Sequence, residues 1–163
     1  MLSLLKSKLI ILPQLLSIVQ ERKIKGEKLV FTNGCFDVIH VGHLRYLEKA
    51  KKLGDFLVIG MNSDSSVRAL KGKGRPFVPE MERAEILSAL VFVDYIVIFS
   101  EMRPDNLIEH LKPDFHVKGG DYRKDDLPES ALVEKYGGRV IILEHIPGKS
   151  TTCMAEEICR KFK

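Results

Sequence analysis

The residues best suited to chemistry lie together in one short segment, TNGCFDVIHVGH (32–43). His40 and His43 stand three apart, the spacing that brings two side chains onto one face of the first turn of a helix. Gly42, between them, has no side chain to keep a ligand from the backbone. Asn33 and Gly34 suit a tight turn with exposed backbone N–H groups, and a helix starting just afterwards offers unsatisfied donors and a partial positive charge. A phosphate is the guest such a site takes. Two imidazoles aimed at it would donate hydrogen bonds to phosphate oxygens as charge builds during an in-line displacement, with no covalent intermediate. Singly, each histidine reads as helix surface or satisfied core; the pair beside a glycine turn points to the phosphate. Asp37 fits either the same site or a plain turn or helix-entry cap.

A run of positive charge follows. Arg68, Lys71, Lys73, Arg75 and Arg83 suit a triphosphate and a phosphorylated substrate, or else form a solvated basic loop. Cys35, Asp37, His40 and His43 are poor zinc ligands, because only the histidines are helix-paired and a thiolate at the turn would block the phosphate site. Mg2+ is the expected cofactor, bridging nucleotide phosphates and needing few protein ligands. The string PGKST is not a P-loop: GxxxxGK[ST] needs glycine at 143, and the chain has Leu143.

These residues need a scaffold, and two alternating periods describe one. Short β-branched runs, KLVFT (28–32), FLVIGMN (56–62), YIVIF (95–99), DFHVK (114–118) and RVIIL (139–143), are apolar at their centres, as parallel strands covered on both faces must be. Between them apolar residues return every three or four positions, as at Leu44, Leu47, Ala50 and Leu53, and at Ile86, Leu87 and Leu90. Pro104 opens a helix ending near Leu111, Pro113 stops it, and Ser150 to Thr152 offer N-cap hydroxyls for a final helix through Ile158. The expectation is an α/β domain with right-handed crossovers, its ligand at the carboxyl ends of the strands.

Composition agrees with one globular domain: 163 residues, 45% hydrophobic and 29% charged. The net charge of +4 is too small to argue for a nucleic-acid partner. Cys35, Cys153 and Cys159 lack CxxC spacing, which suits a reducing cytoplasm without disulfides. At the start, Lys6 and Lys8 interrupt the apolar run and Pro13 divides it, so neither an export signal nor a membrane span is expected.

GCFDVIHVGH (34–43) resembles the GxFDxxHxGH signature of the cytidylyltransferase-like branch of the nucleotidyltransferases. By that resemblance His40 and His43 contact nucleotide phosphates and the transition state, and Asp37 holds the family's aspartate position. Residues 54–90 continue it, with the family's order of strand, acidic loop, basic loop and arginine-bearing helix. Lys71 and Arg83 then fall where relatives bind phosphate and act with the histidines in catalysis, and Asp64 and Arg75 fall on the substrate side. NGCFD, KGKGRP, ERAEILSAL, VDYIVIF, LKPDFHVKGGDY and YGGRVIILEHIPGKSTT together resemble, over 28–158, the adenylyltransferases that make ADP-heptose from a heptose 1-phosphate.

The resemblance implies a single Rossmann-like domain over 1–163, a helical lead-in at 1–26 and a core at 27–163, with five parallel strands in the order 3-2-1-4-5 and helices on both faces. Thr32, Asn33, Gly34, Cys35, Phe36, Asp37 and Gly42 would cradle the nucleotide. Lys118, Gly119, Gly120 and Asp121 would line its pocket, and Ser150, Thr151 and Thr152 would stand near base and phosphates, although such hydroxyls also serve as ordinary caps. ATP and a sugar 1-phosphate are the implied substrates, with ADP-heptose feeding lipopolysaccharide core synthesis, a separate sugar kinase upstream, and a homodimer. His145 stands where relatives acting on glycerol phosphate carry arginine, which leaves that contact open, with Lys149 as nearby charge. The alternatives are a glycerol-phosphate cytidylyltransferase, an FMN adenylyltransferase, or a nucleotide-binding module without catalysis.

Overall fold

A computed structural model describes residues 3–120, 127–144 and 151–162, apart from the side chains at 4–6, 152 and 153. Five strands, β1 (Leu29–Gly34), β2 (Phe56–Asn62), β3 (Tyr95–Phe99), β4 (Phe115–Gly119) and β5 (Arg139–Leu143), form one all-parallel sheet in the order β3-β2-β1-β4-β5. This is the Rossmann-like arrangement that the family resemblance implies, and its parallel strands are those expected from the alternating periods. The interior strand β2 is buried at every position, which explains why its sequence is nearly all apolar rather than alternating.

Helices cover both faces. On one face, α2 (Leu12–Ile24), α6 (Asp105–Leu111) and α7 (Ser130–Lys135) enclose a core that includes Leu15, Val19, Phe31, Val58, Leu107, Ile108 and Val133. On the other, α3 (Val41–Lys51) and α5 (Glu80–Ser88) pack on Val30, Leu57, Ile59, Ile96 and Val117 through Leu47, Ala50, Ala84 and Leu87. The lead-in does more than pack. After α1 (Ser3–Lys8), Leu9 bridges Ile96 in parallel and the Ile10 N–H donates to the Ile96 carbonyl at 2.9 Å, so the open edge of β3 is partly capped.

Three local expectations are corrected. The chain does not turn at Asn33–Gly34: both residues continue the ladder, opposite Gly60 and Met61. The reversal falls at Cys35–Asp37, where Phe36 takes the left-handed conformation with φ 47°. An "acidic loop" after β2 is instead α4 (Asp64–Lys71), started by the Ser63 hydroxyl accepting from the Ser66 N–H at 3.2 Å. The stripe assigned to Ile86 also shifts. Ile86 is 42% exposed, while α5 buries Arg83, Ala84, Leu87 and Ser88.

Candidate active site

The carboxyl ends of β1, β2 and β4 and the start of α3 converge. His40 is the N-cap of α3 rather than a member of its first turn, with φ −140° and ψ 170°, and its Nδ1 accepts from the Gly42 N–H at 3.1 Å. His43 lies in the turn proper. Their ring centroids are 4.0 Å apart, and His43 also meets Phe36 at 5.5 Å. The spacing of three therefore brings the rings together, though by capping geometry rather than by a shared helical face. Because Nδ1 of His40 is an acceptor, the neutral ring carries its proton on Nε2, which makes that atom a donor.

Beneath this pair lies a lattice of charge. Asp37, 2% exposed, accepts from the backbone N–H groups of Phe77 (2.7 Å) and Val78 (3.0 Å), and its second oxygen is 2.6 Å from Arg75 Nε. It is not a helix cap; at the end of the reversal it fastens the basic loop to the tip of β1. Arg75 in turn lies over the Phe77 ring, 4.5 Å from its centre.

Arg83 corrects the expectation of a phosphate-holding cation. It is completely buried, and its guanidinium donates to the carbonyls of Val78 (2.9 Å), Asn62 (2.9 Å) and Cys35, and to Asp64 (2.6 Å). Those bonds join the ends of β1 and β2 to the loop before α5 and leave no face for a ligand. Asp64 is correspondingly a brace: its carboxylate holds Arg83, and its N–H donates to Glu80 at 2.7 Å. Lys71 differs. It ends α4 in an exposed position, close enough to Cys35 for its charge to act on the thiol. Burial nevertheless pushes the Cys35 thiol up, against the pull of that charge.

Thr32 too lies under the site rather than in it. It is fully buried and shares a hydrogen bond with the Tyr46 hydroxyl, which donates to the Val117 carbonyl at 2.8 Å. Tyr46 thereby clasps β1 to β4, and burial holds its phenol far above the usual range. A Cβ at Gly119 would come within 3.1 Å of that ring, so the last residue of β4 must be small. Gly120 follows with φ 135° and donates to Leu143 at 3.1 Å. Lys118 reaches Asn33 Oδ1 at 2.7 Å and the Glu129 carboxylate at 2.9 Å. Glu129, just before α7, gave no sequence signal: it belongs to no motif and meets Lys118 only across the sheet.

The N-terminus of α8 (Thr151–Lys161) is tied in where Thr151 Oγ1 donates to the Val38 carbonyl at 3.3 Å. Asp121, His145, Lys149 and Ser150, and the Thr152 side chain, lie outside the described residues. Among the described residues, no cluster of three or more His, Cys, Asp or Glu side chains could hold a metal, and no helix is long and apolar enough to cross a membrane. The site carboxylates Asp37 and Asp64 are already engaged by arginines. That donor set fits a magnesium ion carried by nucleotide phosphates, not one held by a protein cage.

Comparison with known proteins gives the family. The family described as cytidylyltransferase-like matches residues 31–162. A Geobacter metallireducens protein named bifunctional protein HldE is 53% identical over 148 residues, 91% of this chain and 30% of its own length. Its namesake in Geotalea uraniireducens is 54% identical over 147 residues, 90% and 30% respectively. This chain thus spans about three-tenths of the length of these curated relatives. The crystal structure of a lipopolysaccharide core biosynthesis protein from Thermoplasma volcanium superposes with a TM-score of 0.62 at 32% identity, covering 74% of this chain and 98% of that one. A pantoate–β-alanine ligase from Francisella tularensis shares the fold alone, with a TM-score of 0.65 at 14% identity over 94% of this chain and 77% of its own.

Proposed function

This chain belongs to the cytidylyltransferase-like family, and from that premise we infer that its site transfers the adenylyl group of ATP to a heptose 1-phosphate, giving ADP-heptose and pyrophosphate. An oxygen of the sugar phosphate attacks the α-phosphorus, forming the new P–O bond as the bond to the bridging oxygen of the β-phosphate breaks. Pyrophosphate leaves with that electron pair. The observation that carries the proposal is the imidazole pair at the start of α3, 4.0 Å apart, with His40 Nδ1 occupied by the Gly42 N–H so that Nε2 is the donor. Preorganised donors of this kind gain strength as negative charge develops on the transferred group.

Exposed Lys71 is a cation placed to draw in phosphate, while the backbone from Asn33 to Asp37 and the first turn of α3 shape the cradle. Magnesium on the nucleotide phosphates supplies charge neutralisation when bound. The names of the HldE and lipopolysaccharide core relatives support the heptose reading, in which a kinase step must supply the sugar 1-phosphate. A cytoplasmic site of action and a homodimer are parts of the same proposal.

Pyrophosphate release is the test, with ATP, CTP, GTP and UTP each offered to a heptose 1-phosphate, glycerol 3-phosphate and FMN at one magnesium concentration. ATP with the heptose 1-phosphate should give the highest kcat/KM, by about 1 to 3 kcal/mol over CTP, since purine and pyrimidine edges differ in size and donor pattern. CTP equal to ATP would remove the adenylyl assignment. No release with any pair would leave only a binding module.

A further inference from the structure

His116 and Lys118 alternate along β4 and so share one face of the sheet, the face on which Phe31 of β1 lies opposite His116. Asn33, two residues beyond Phe31, completes the row at the strand tips. Phe31 stacks on the His116 ring at 5.4 Å between centres. Over this face, inside an otherwise apolar layer, sits a single carboxylate: Glu129, its side chain 7% exposed, is 2.9 Å from Lys118 Nζ and 3.6 Å from His116 Nε2. A charge buried among Leu127, Val133 and Val140 costs several kcal/mol unless it is paired. A hydrophobic residue would pack there at less cost. The pairing requires explanation beyond stability.

The geometry points to Glu129 as a positioning residue for the nucleotide site: from outside the site's motifs, it holds the Lys118 ammonium against Asn33, and through that bond sets the orientation of the Asn33 amide at the tip of β1. An ammonium has three N–H donors and no acceptor, so it can meet only the carbonyl end of an amide. With Oδ1 of Asn33 held by Lys118 at 2.7 Å, the amide nitrogen is turned away from the lysine and is set as a donor. Among the described residues, Glu129 and Asn33 use two of the three Lys118 protons, and the third is set for a ligand anion. The lysine side chain is 16% exposed, so its charge reaches the site from one direction only.

The charge states support the linkage. Burial pushes the Glu129 carboxyl up, but His116 beside it and the charge of Lys118 outweigh it and hold the group well below the carboxylate range. Burial also lowers His116, which stays neutral beside its partner. Glu129 is therefore a fixed anion, and only Lys118 among its two neighbours carries a permanent countercharge.

This proposal rests on the nucleotidyltransferase reading, and the experiment separates the two. Titrate wild type, Glu129→Gln, Lys118→Met and the double variant with a non-hydrolysable ATP analogue, recording thermal midpoints, and measure pyrophosphate release with a heptose 1-phosphate. Glu129→Gln should weaken ATP binding about tenfold, the loss of one charge-assisted contact at the site, while KM for the sugar phosphate stays within about twofold. In the double variant, the glutamine should add almost nothing to the effect of Lys118→Met, because Glu129 acts through that lysine. A merely structural carboxylate would lower the midpoint and scale activity down without changing the ratio of the two KM values. Glu129→Asp keeps the buried charge, and with it the fold if glutamine does not; withdrawing the carboxylate by one methylene should still weaken ATP at least about threefold. Wild-type affinity for ATP in the folded variants, or additive effects in the double variant, overturns the positioning role alone. Failure of wild type itself to bind ATP overturns both.

Discussion

Two groups of polar side chains meet at the tip of β1 and are built on opposite principles. His40 and His43 face each other at the start of α3, with Nδ1 of His40 accepting from the Gly42 N–H. A few residues away, Asp37, Arg75, Arg83 and Asp64 form a lattice in which Arg83 has no exposed surface. The first group is two rings in contact at the start of α3; in the second the donors are consumed in holding the loops that shape the space. Charge in a site is thus no measure of contact with substrate. A cation is available for a ligand only where its hydrogen bonds have not already been spent on the fold.

The sharpest way to break this comparison is to remove each histidine. His40→Ala and His43→Ala should each lower kcat by roughly two to four orders of magnitude, with far smaller changes in nucleotide affinity and melting temperature. Near-normal turnover in both variants would put the histidines among the merely structural residues. Arg83→Met should do the reverse. Deleting one partner of a buried, hydrogen-bonded ion pair costs about 3 to 5 kcal/mol, so chemical denaturation should show a large loss of stability, and activity should fall through the folded fraction. A stable Arg83→Met protein with only a raised KM would restore the phosphate-binding role.

Lys71→Met sharpens the contrast from the other side. An exposed cation without structural bonds should leave stability within about 0.5 kcal/mol, yet raise KM for ATP or for the sugar phosphate severalfold. Unchanged kinetics would return Lys71 to the solvated surface.

The smallest effect concerns pH. His116 is buried and lowered, so the unfolded chain takes up a proton that the folded one resists, and stability rises with pH across that interval. The contribution is complete above the ordinary value of 6.5 and is lost as pH falls below it. Glu129, held low, adds stability that is present above its ordinary value of 4.5 and lost further into acid. Denaturation from pH 7.5 down to 5.5 should therefore show declining stability in wild type and a flatter profile in His116→Leu. Parallel profiles would mean that His116 does not carry the acid sensitivity.

Much of the scaffold was legible because it rests on periodicity, a local property. The five apolar runs mark the five strands within a residue or two, and Pro104 marks the start of α6. Legibility failed where a residue's environment is set by its neighbours across the sheet. Asn33 and Gly34 have the composition of a turn, but β2 offers them partners and they remain strand; the reversal passes to Phe36, a residue with no intrinsic preference for φ 47°. The segment after β2 that reads as an acidic loop is helical, capped by the Ser63 hydroxyl.

What the sequence by itself determined is the order of strands and helices, the glycine-and-histidine segment at the mouth of the sheet, and hence the class of chemistry, since these depend on residue types at short spacing. Only the tertiary structure decided which charged residues are free to act. Lys71 and Arg83 look alike in a string of letters, but one ends a helix in solvent and the other is enclosed by two strand ends, a loop carbonyl and Asp64. Glu129 and Lys118 show the same limit from the other direction, meeting at 2.9 Å through a sheet face that no local pattern describes. The physical reason is that a buried charge is defined by its partners, and partners distant in sequence are chosen by packing rather than by spacing.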